Sequence, residues 1–246
     1  MNRDKITFIL VRPNFLGNIG SAARVMKNFG FQQLRLVKPP RNYLDAEARK
    51  MAVDAFDVLK GARVADSLSE ALADINLAFG TSSCKQRNEN PRTLASVATE
   101  LAQSANSETH IAVVVGDERD GLSKDELALC HELLHIPSQK DFPSLNLAQA
   151  LGIVAYELAQ SAQLQAEPDL KSAWPCDESL PSGAQADEFY QLVQQVMAEA
   201  SFSRSYNEAK VAAELRSALQ RMRPSLREMQ LLKGFLLTLR GRLKKD

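Results

Sequence analysis

Short aliphatic runs alternate with stretches of helical periodicity over the first two thirds of the chain. Residues 6–11, 34–37, 75–79, 111–115 and 133–136 are apolar runs too short for helices and bounded by polar or turn-forming residues. Between them, Ile19, Ala22, Ala23 and Met26 recur at steps of three or four, as do Leu147, Leu151, Val154 and Leu158. Strands that are apolar throughout, separated by amphipathic helices, predict an α/β fold with a largely parallel sheet buried on both faces. Helix starts are also written locally. Ser67 with Glu70 and Ser123 with Glu126 have the spacing of capping boxes, and Asn18 and Ser144 stand where N-caps are wanted. Gly30 follows the first helical stretch, where a left-handed residue closes a helix. Gly17 and Gly20 keep the turn after the first strand free of bulk, leaving room for a ligand.

The pattern changes near residue 164. Pro168, Pro175, Pro181 and Gly183 lie among scattered acids, so 164–185 reads as a linker. Beyond it, 189–200, 209–222 and 226–243 are helical, the last with Leu226, Met229, Leu232, Leu236, Leu239 and Leu243 as one apolar stripe. The predicted organisation is an α/β domain over 1–163, the linker, and a small all-α domain over 186–246.

Composition narrows the class. Hydrophobic residues make up 45% of the 246, enough for a substantial core. No apolar run approaches the length of a membrane span, and the first residues lack a signal-peptide pattern. The three cysteines (Cys84, Cys130, Cys176) are too far apart for a disulfide framework or a metal pattern, so a cytoplasmic protein with reduced thiols is expected. Net charge is zero, yet residues 203–246 hold eleven basic and four acidic side chains, a local +7. That asymmetry suits either a polyanion-binding surface or a solvated helix face. Neither a dinucleotide-binding glycine fingerprint nor a phosphate-binding P-loop occurs.

Three segments carry the candidate chemistry. The first runs from Asn18 to Arg24 (NIGSAAR) and opens a helix after the first strand. Arg24 lies off the apolar face of that helix, so burial does not account for it. The second, Gly116 to Leu122 (GDERDGL), places four consecutive charges between two glycines at a strand's carboxyl end, where ligands of open α/β sheets bind. The third is Ile136-Pro137 followed by Pro143-Ser144-Leu145-Asn146 at a helix start. In this order and at these separations they resemble the three motifs of the SPOUT-class RNA 2′-O-ribose methyltransferases of the SpoU/TrmH type. The C-terminal helices lean towards the TrmJ branch, which methylates tRNA.

The resemblance implies much that pattern alone does not. It implies a deep C-terminal trefoil knot in the α/β domain, S-adenosylmethionine as methyl donor, homodimers with each active site built between subunits, and no metal. It implies 2′-O-methylation of cytidine or uridine at anticodon-loop position 32, with Arg24 nearest the ribose and Glu118, Ser144 and Asn146 orienting it. Donor-pocket residues become Thr81, Ser82, Gly116, Ile136, Ser144 and Leu145. Candidate RNA contacts are Asn18, Lys85, Arg87, Lys233, Arg240 and Lys244. Relatives of that branch usually carry Thr-Ser-Ala-Arg where this chain has Thr81-Ser82-Ser83-Cys84-Lys85, which bears on substrate choice. A paralogous methyltransferase acting on rRNA or another RNA remains an alternative, as does a non-catalytic RNA-binding module of the same fold.

One competing motif is set aside. His131-Glu132-Leu133-Leu134-His135 has the H-E-x-x-H spacing of zinc proteases, which requires a continuous helix and a third ligand. Pro137 follows too closely for helical geometry, and 133–136 reads better as a strand.

Overall fold

A seven-stranded, wholly parallel sheet organises the chain. The computed structural model describes residues 2–82, 92–104, 108–139, 141–164, 179–202 and 207–243. Strands β1 (Ile6–Val11), β2 (Gln33–Val37), β3 (Arg63–Ala65), β4 (Leu77–Thr81), β5 (Arg92–Thr93), β6 (Ile111–Val115) and β7 (Glu132–His135) lie in the order β3-β2-β1-β6-β4-β7-β5. The runs at 6–11 and 111–115 form strands with the expected bounds; β2, β4 and β7 shift by a residue or two. β3 and β5 were not expected. At three and two residues they are edge pieces with no periodicity of their own, made into strands only by neighbours that supply hydrogen bonds.

Strand alternation sorts side chains into two cores. Ile6, Phe8 and Leu10 of β1 and Ile111, Val113 and Val115 of β6 point to one face. They pack there against α1 (Leu16–Asn28), α5 (Leu94–Ser104) and α7 (Leu147–Leu164). Ile9, Val11, Ala112 and Val114 point to the other, towards α4 (Leu68–Ala71) and α6 (Lys124–Leu127). Burial on both faces is why these strands are apolar throughout. α2 (Ala46–Ala52) and α3 (Phe56–Lys60) complete the first layer.

Two N-caps differ from expectation, and the helix expected at 189–200 runs instead from Gly183 to Glu199, starting inside the expected linker. α1 begins at Leu16, so Asn18 is not its N-cap but lies within the first turn. α7 is capped not by Ser144 but by Asn146, whose Oδ1 accepts the amides of Ala148 (2.9 Å) and Gln149 (3.3 Å). Ser123 and Glu126 form the full capping box expected of them; Ser67 caps Glu70, while the Glu70 carboxylate accepts the Asp66 amide instead. Gly30 is left-handed as expected (φ +76°). Gly20 serves packing and not a ligand: a Cβ there would stand 2.2 Å from the Ala48 carbonyl oxygen of α2.

Three further helices, α8 (Gly183–Glu199), α9 (Glu208–Met222) and α10 (Leu226–Leu243), share a small core of Phe189, Tyr190, Val193, Met197, Ala212 and Met229. Of the predicted α10 stripe only Met229 is buried, because α10 meets α8 along a single line and leaves Leu232 and Leu243 exposed. The helices are fastened to the sheet end. The Gly183 amide donates to the Ile75 carbonyl (2.8 Å), and Asn76 Nδ2 donates to the Leu180 carbonyl (3.0 Å). Arg223, left-handed at the end of α9, reaches Glu100 (3.2 Å) and Glu132, which Arg92 of β5 also engages. No helix among the described residues is long and apolar enough to cross a membrane.

A cleft at the carboxyl ends of the central strands

The chain runs from β1 outward to β2 and β3, then crosses to β4 on the opposite side of β1. Such a reversal opens a crevice at the strand carboxyl ends. Here it is a cleft of about 1020 Å³, its open mouth included. Thr81 and Ser82 enter it from β4, Gly116 and Glu118 from the loop after β6, Ile136 from the end of β7, and Ser144 and Leu145 from the segment leading into α7. All six residues expected to form a donor pocket therefore meet in one place. Leu122, Leu134, Leu147 and Ala150 supply apolar wall.

The loop after β6 is held in shape by its own side chains. Asp117 Oδ1 accepts the amides of Arg119 (2.9 Å) and Asp120 (2.8 Å), and the Gly121 amide closes back on the Asp117 carbonyl (3.1 Å). The other Asp117 oxygen takes a hydrogen bond from Arg12 Nη2 (3.0 Å), which also reaches the Gly121 carbonyl (3.1 Å). Arg12 pairs with Glu126 as well. Burial would raise the Asp117 carboxyl, but the two amides and Arg12 outweigh it and hold it below the usual range. The loop folds so tightly that a Cβ on Gly116 would lie 2.1 Å from the Gly121 carbonyl carbon. Sequence reading assigned Asp117 nothing and passed over Arg12; an arginine directly after an apolar strand was the only local signal.

Glu118 bridges two segments a hundred residues apart. Its carboxylate accepts the amides of Asn14 (3.0 Å) and Phe15 (3.3 Å) and the side-chain amide of Asn18 (2.8 Å). Asn146 Nδ2 in turn donates to Asn18 Oδ1 (2.9 Å). One residue from each of the three motifs thus enters a single polar chain, Glu118–Asn18–Asn146. Each member uses both ends of its side chain, so the three fix one another's rotamers. Beside it lies a second, more open groove that shares Glu118, Ser144 and Leu145 with the cleft and adds Phe15, Asn18, Phe142 and Asn146.

Other expected site residues stand elsewhere. Arg24 is exposed on α1 and lines neither the cleft nor the groove of its own chain. On α10, Lys233 donates to Glu188 of α8 (2.6 Å), and Arg240 makes a forked contact with Glu199 (2.7–2.9 Å) and reaches Gln195 (3.0 Å). An anion there competes with pairs the fold already makes. Lys85, Arg87 and Lys244 lie outside the described residues, as do Ser83 and Cys84. The H-E-x-x-H segment forms β7 and its lead-in, so its imidazoles do not share a helix face. His131 is committed to the fold, with Nδ1 accepting the Ala78 amide (3.0 Å).

Residues 5–156 match the model of the SpoU rRNA Methylase family. Over 243 residues the chain is 37% identical to the tRNA (cytidine/uridine-2′-O-)-methyltransferase TrmJ of Pectobacterium atrosepticum, the match covering 95% of each chain. Among solved structures it is similar to TrmJ from Z. mobilis ZM4 (TM-score 0.81, 29% identity, 95% of this chain and 98% of that one). It is also similar to a probable methylase family protein from Haemophilus influenzae Rd KW20 (TM-score 0.64, 30% identity, 98% of each chain).

Proposed function

Because the chain belongs to the SpoU rRNA methylase family, we propose that it is an S-adenosylmethionine-dependent methyltransferase acting in the cytoplasm. Its substrate is the 2′-hydroxyl of cytidine or uridine at position 32 of the tRNA anticodon loop. The observation that carries this reading is the convergence of Thr81, Ser82, Gly116, Ile136, Ser144 and Leu145 on one cleft, beside the Glu118–Asn18–Asn146 chain. The near full-length similarity to a tRNA methyltransferase supports the choice of RNA.

The cleft suits the donor. Apolar wall from Leu134, Ile136 and Leu147 fits an adenine ring, hydroxyls of Thr81, Ser82 and Ser144 suit its polar parts, and the bare backbone at Gly116 admits close approach. When bound, S-adenosylmethionine supplies a methyl group on a positively charged sulfur. The chain's residues have to hold a ribose oxygen in line and stabilise the charge that develops as its proton leaves. Glu118 orients the start of α1, and Ser144 and Asn146 border the nucleotide's path. Arg24, permanently cationic, suits phosphate and a developing oxyanion better than it suits proton removal. Since Arg24 lies outside the cleft of its own chain, the reading requires a homodimer in which the second subunit brings Arg24 to the ribose. It also includes the trefoil knot around the 136–146 segment and a C-terminal helical domain that helps grip RNA.

The test is direct. Purified protein, labelled donor and a tRNA transcript should give a 2′-O-methylated pyrimidine in the anticodon loop, located by nucleoside mass spectrometry of ribonuclease fragments. Methyl transfer only to rRNA would move the protein to the paralogous reading. No transfer to any RNA would leave it a binding module.

A further inference from the structure

The open groove beside the donor cleft holds two phenylalanines that the fold does not bury. Phe142 is 77% exposed and Phe15 is 52% exposed. Both stand beside backbone hydrogen bonds. The Phe142 amide donates to the Gln139 carbonyl (3.0 Å), Ser138 Oγ donates to the Pro143 carbonyl (3.1 Å), and Pro143 itself is buried. Phe15 is the N-cap residue of α1, its amide on Glu118 and its carbonyl accepting the amides of Asn18 and Ile19. Two large rings are therefore presented to solvent, which costs hydrophobic stabilisation unless something covers them.

The lining identifies the occupant. Among its described residues the groove contains two carboxylates, Glu47 and Glu118, and no lysine or arginine, so a phosphate is disfavoured. Asn18, Asn146 and Ser144 offer hydrogen-bonding groups beside the rings. A flat, neutral ring with polar edges matches both features. The groove is continuous with the donor cleft through Glu118, Ser144 and Leu145. A base whose ribose enters the cleft must lie next to it, and proteins that recognise single-stranded RNA loops splay bases out of the stack onto aromatic side chains. We propose that this groove receives the unstacked base of the target nucleotide, with Phe142 and Phe15 as its stacking platform and Asn18, Asn146 and Ser144 at its edge.

The inference rests on the methyltransferase reading, and the experiment separates the two. Wild type and Phe142→Ala are assayed on two tRNA transcripts, one intact and one abasic at the methylated position with its 2′-hydroxyl retained. Base–aromatic stacking is worth about tenfold or more in affinity. Phe142→Ala should therefore raise KM for intact tRNA by roughly that factor, with kcat and the dissociation constant for S-adenosylmethionine little changed. Phe142→Tyr should restore KM. On the abasic transcript the wild type should be weakened and Phe142→Ala should weaken it no further. An equal loss on both transcripts would overturn the base platform, as would a shift of Phe142→Ala from dimer to monomer in ultracentrifugation. The latter would show the ring covered by a second copy. Failure of wild type on intact tRNA would remove the methyltransferase reading itself, and this one with it.

Discussion

At Gly116 a single added methyl group would force the loop after β6 to change shape. An alanine Cβ would meet the Gly121–Leu122 peptide, with the Leu122 nitrogen at 2.3 Å, so no side chain can yield to relieve it. The loop, held by Asp117 and Arg12, would have to move. We expect Gly116→Ala to weaken S-adenosylmethionine binding by at least about tenfold while costing about 1–3 kcal/mol of stability, as overpacking does. Calorimetric titration of the donor against wild type and variant reads this; equal affinities would place the donor elsewhere. The same residue scale shows where local reading erred. The N-cap of α7 is Asn146 where Ser144 is expected, and Asn146 joins the cap to the polar chain with its two side-chain ends. Cap preference is a local property, but which of two candidates is used depends on where the preceding loop enters the helix.

Among elements, the seam between the sheet and α8–α10 is the least expected feature. His131 lies in it, facing Arg216 and Arg223 of the helices. Burial, reinforced by those two cations, pulls its pKa down from 6.5 to about 4. The unfolded chain takes up that proton near 6.5, so acid favours unfolding between the two values. Stability should be full above pH 6.5 and fall as pH drops towards 4, by on the order of 3 kcal/mol. The carboxylates with depressed values, Asp57, Asp74, Glu108 and Asp117, lose their contributions only as pH falls below the ordinary carboxylate range, so the two windows separate. His131→Asn keeps an acceptor for the Ala78 amide and should flatten thermal stability over pH 4–6.5. An unaltered slope would dismiss the histidine. The seam was illegible beforehand because Arg223, Glu100 and Glu132 come from three segments with no shared periodicity.

For the whole molecule the proposed placement of Arg24 across the dimer can be checked by pairing chains. A site shared between subunits makes a quantitative forecast. Assayed with donor well below the dissociation constant of Gly116→Ala, the Arg24→Ala and Gly116→Ala dimers should each have little activity, yet mixed dimers would contain one site with the arginine of one chain and the intact 116–122 loop of the other. Co-expressed in equal amounts, the two variants should recover about a quarter of wild-type activity per site, as random pairing in a two-fold dimer requires. No recovery would confine the active site to one subunit or exclude Arg24 from it.

The sequence by itself determined the alternation of strands and helices, the five longer strands, the apolar faces of α1 and α7, and the 116–122 loop at the cleft, while the family resemblance supplied the other donor-pocket residues. These are legible because burial repeats with the local geometry of strand and helix, and because loops at strand carboxyl ends have one place to go. Only the tertiary structure decided the Glu118–Asn18–Asn146 chain, the Arg12–Asp117 brace, the two edge strands and the seam. Each depends on partners that neighbour one another in space and not in sequence: Asn146 meets Asn18 across 128 positions. A polar side chain carries no periodic mark of its partner, so its role emerges only when the sheet has brought the two together.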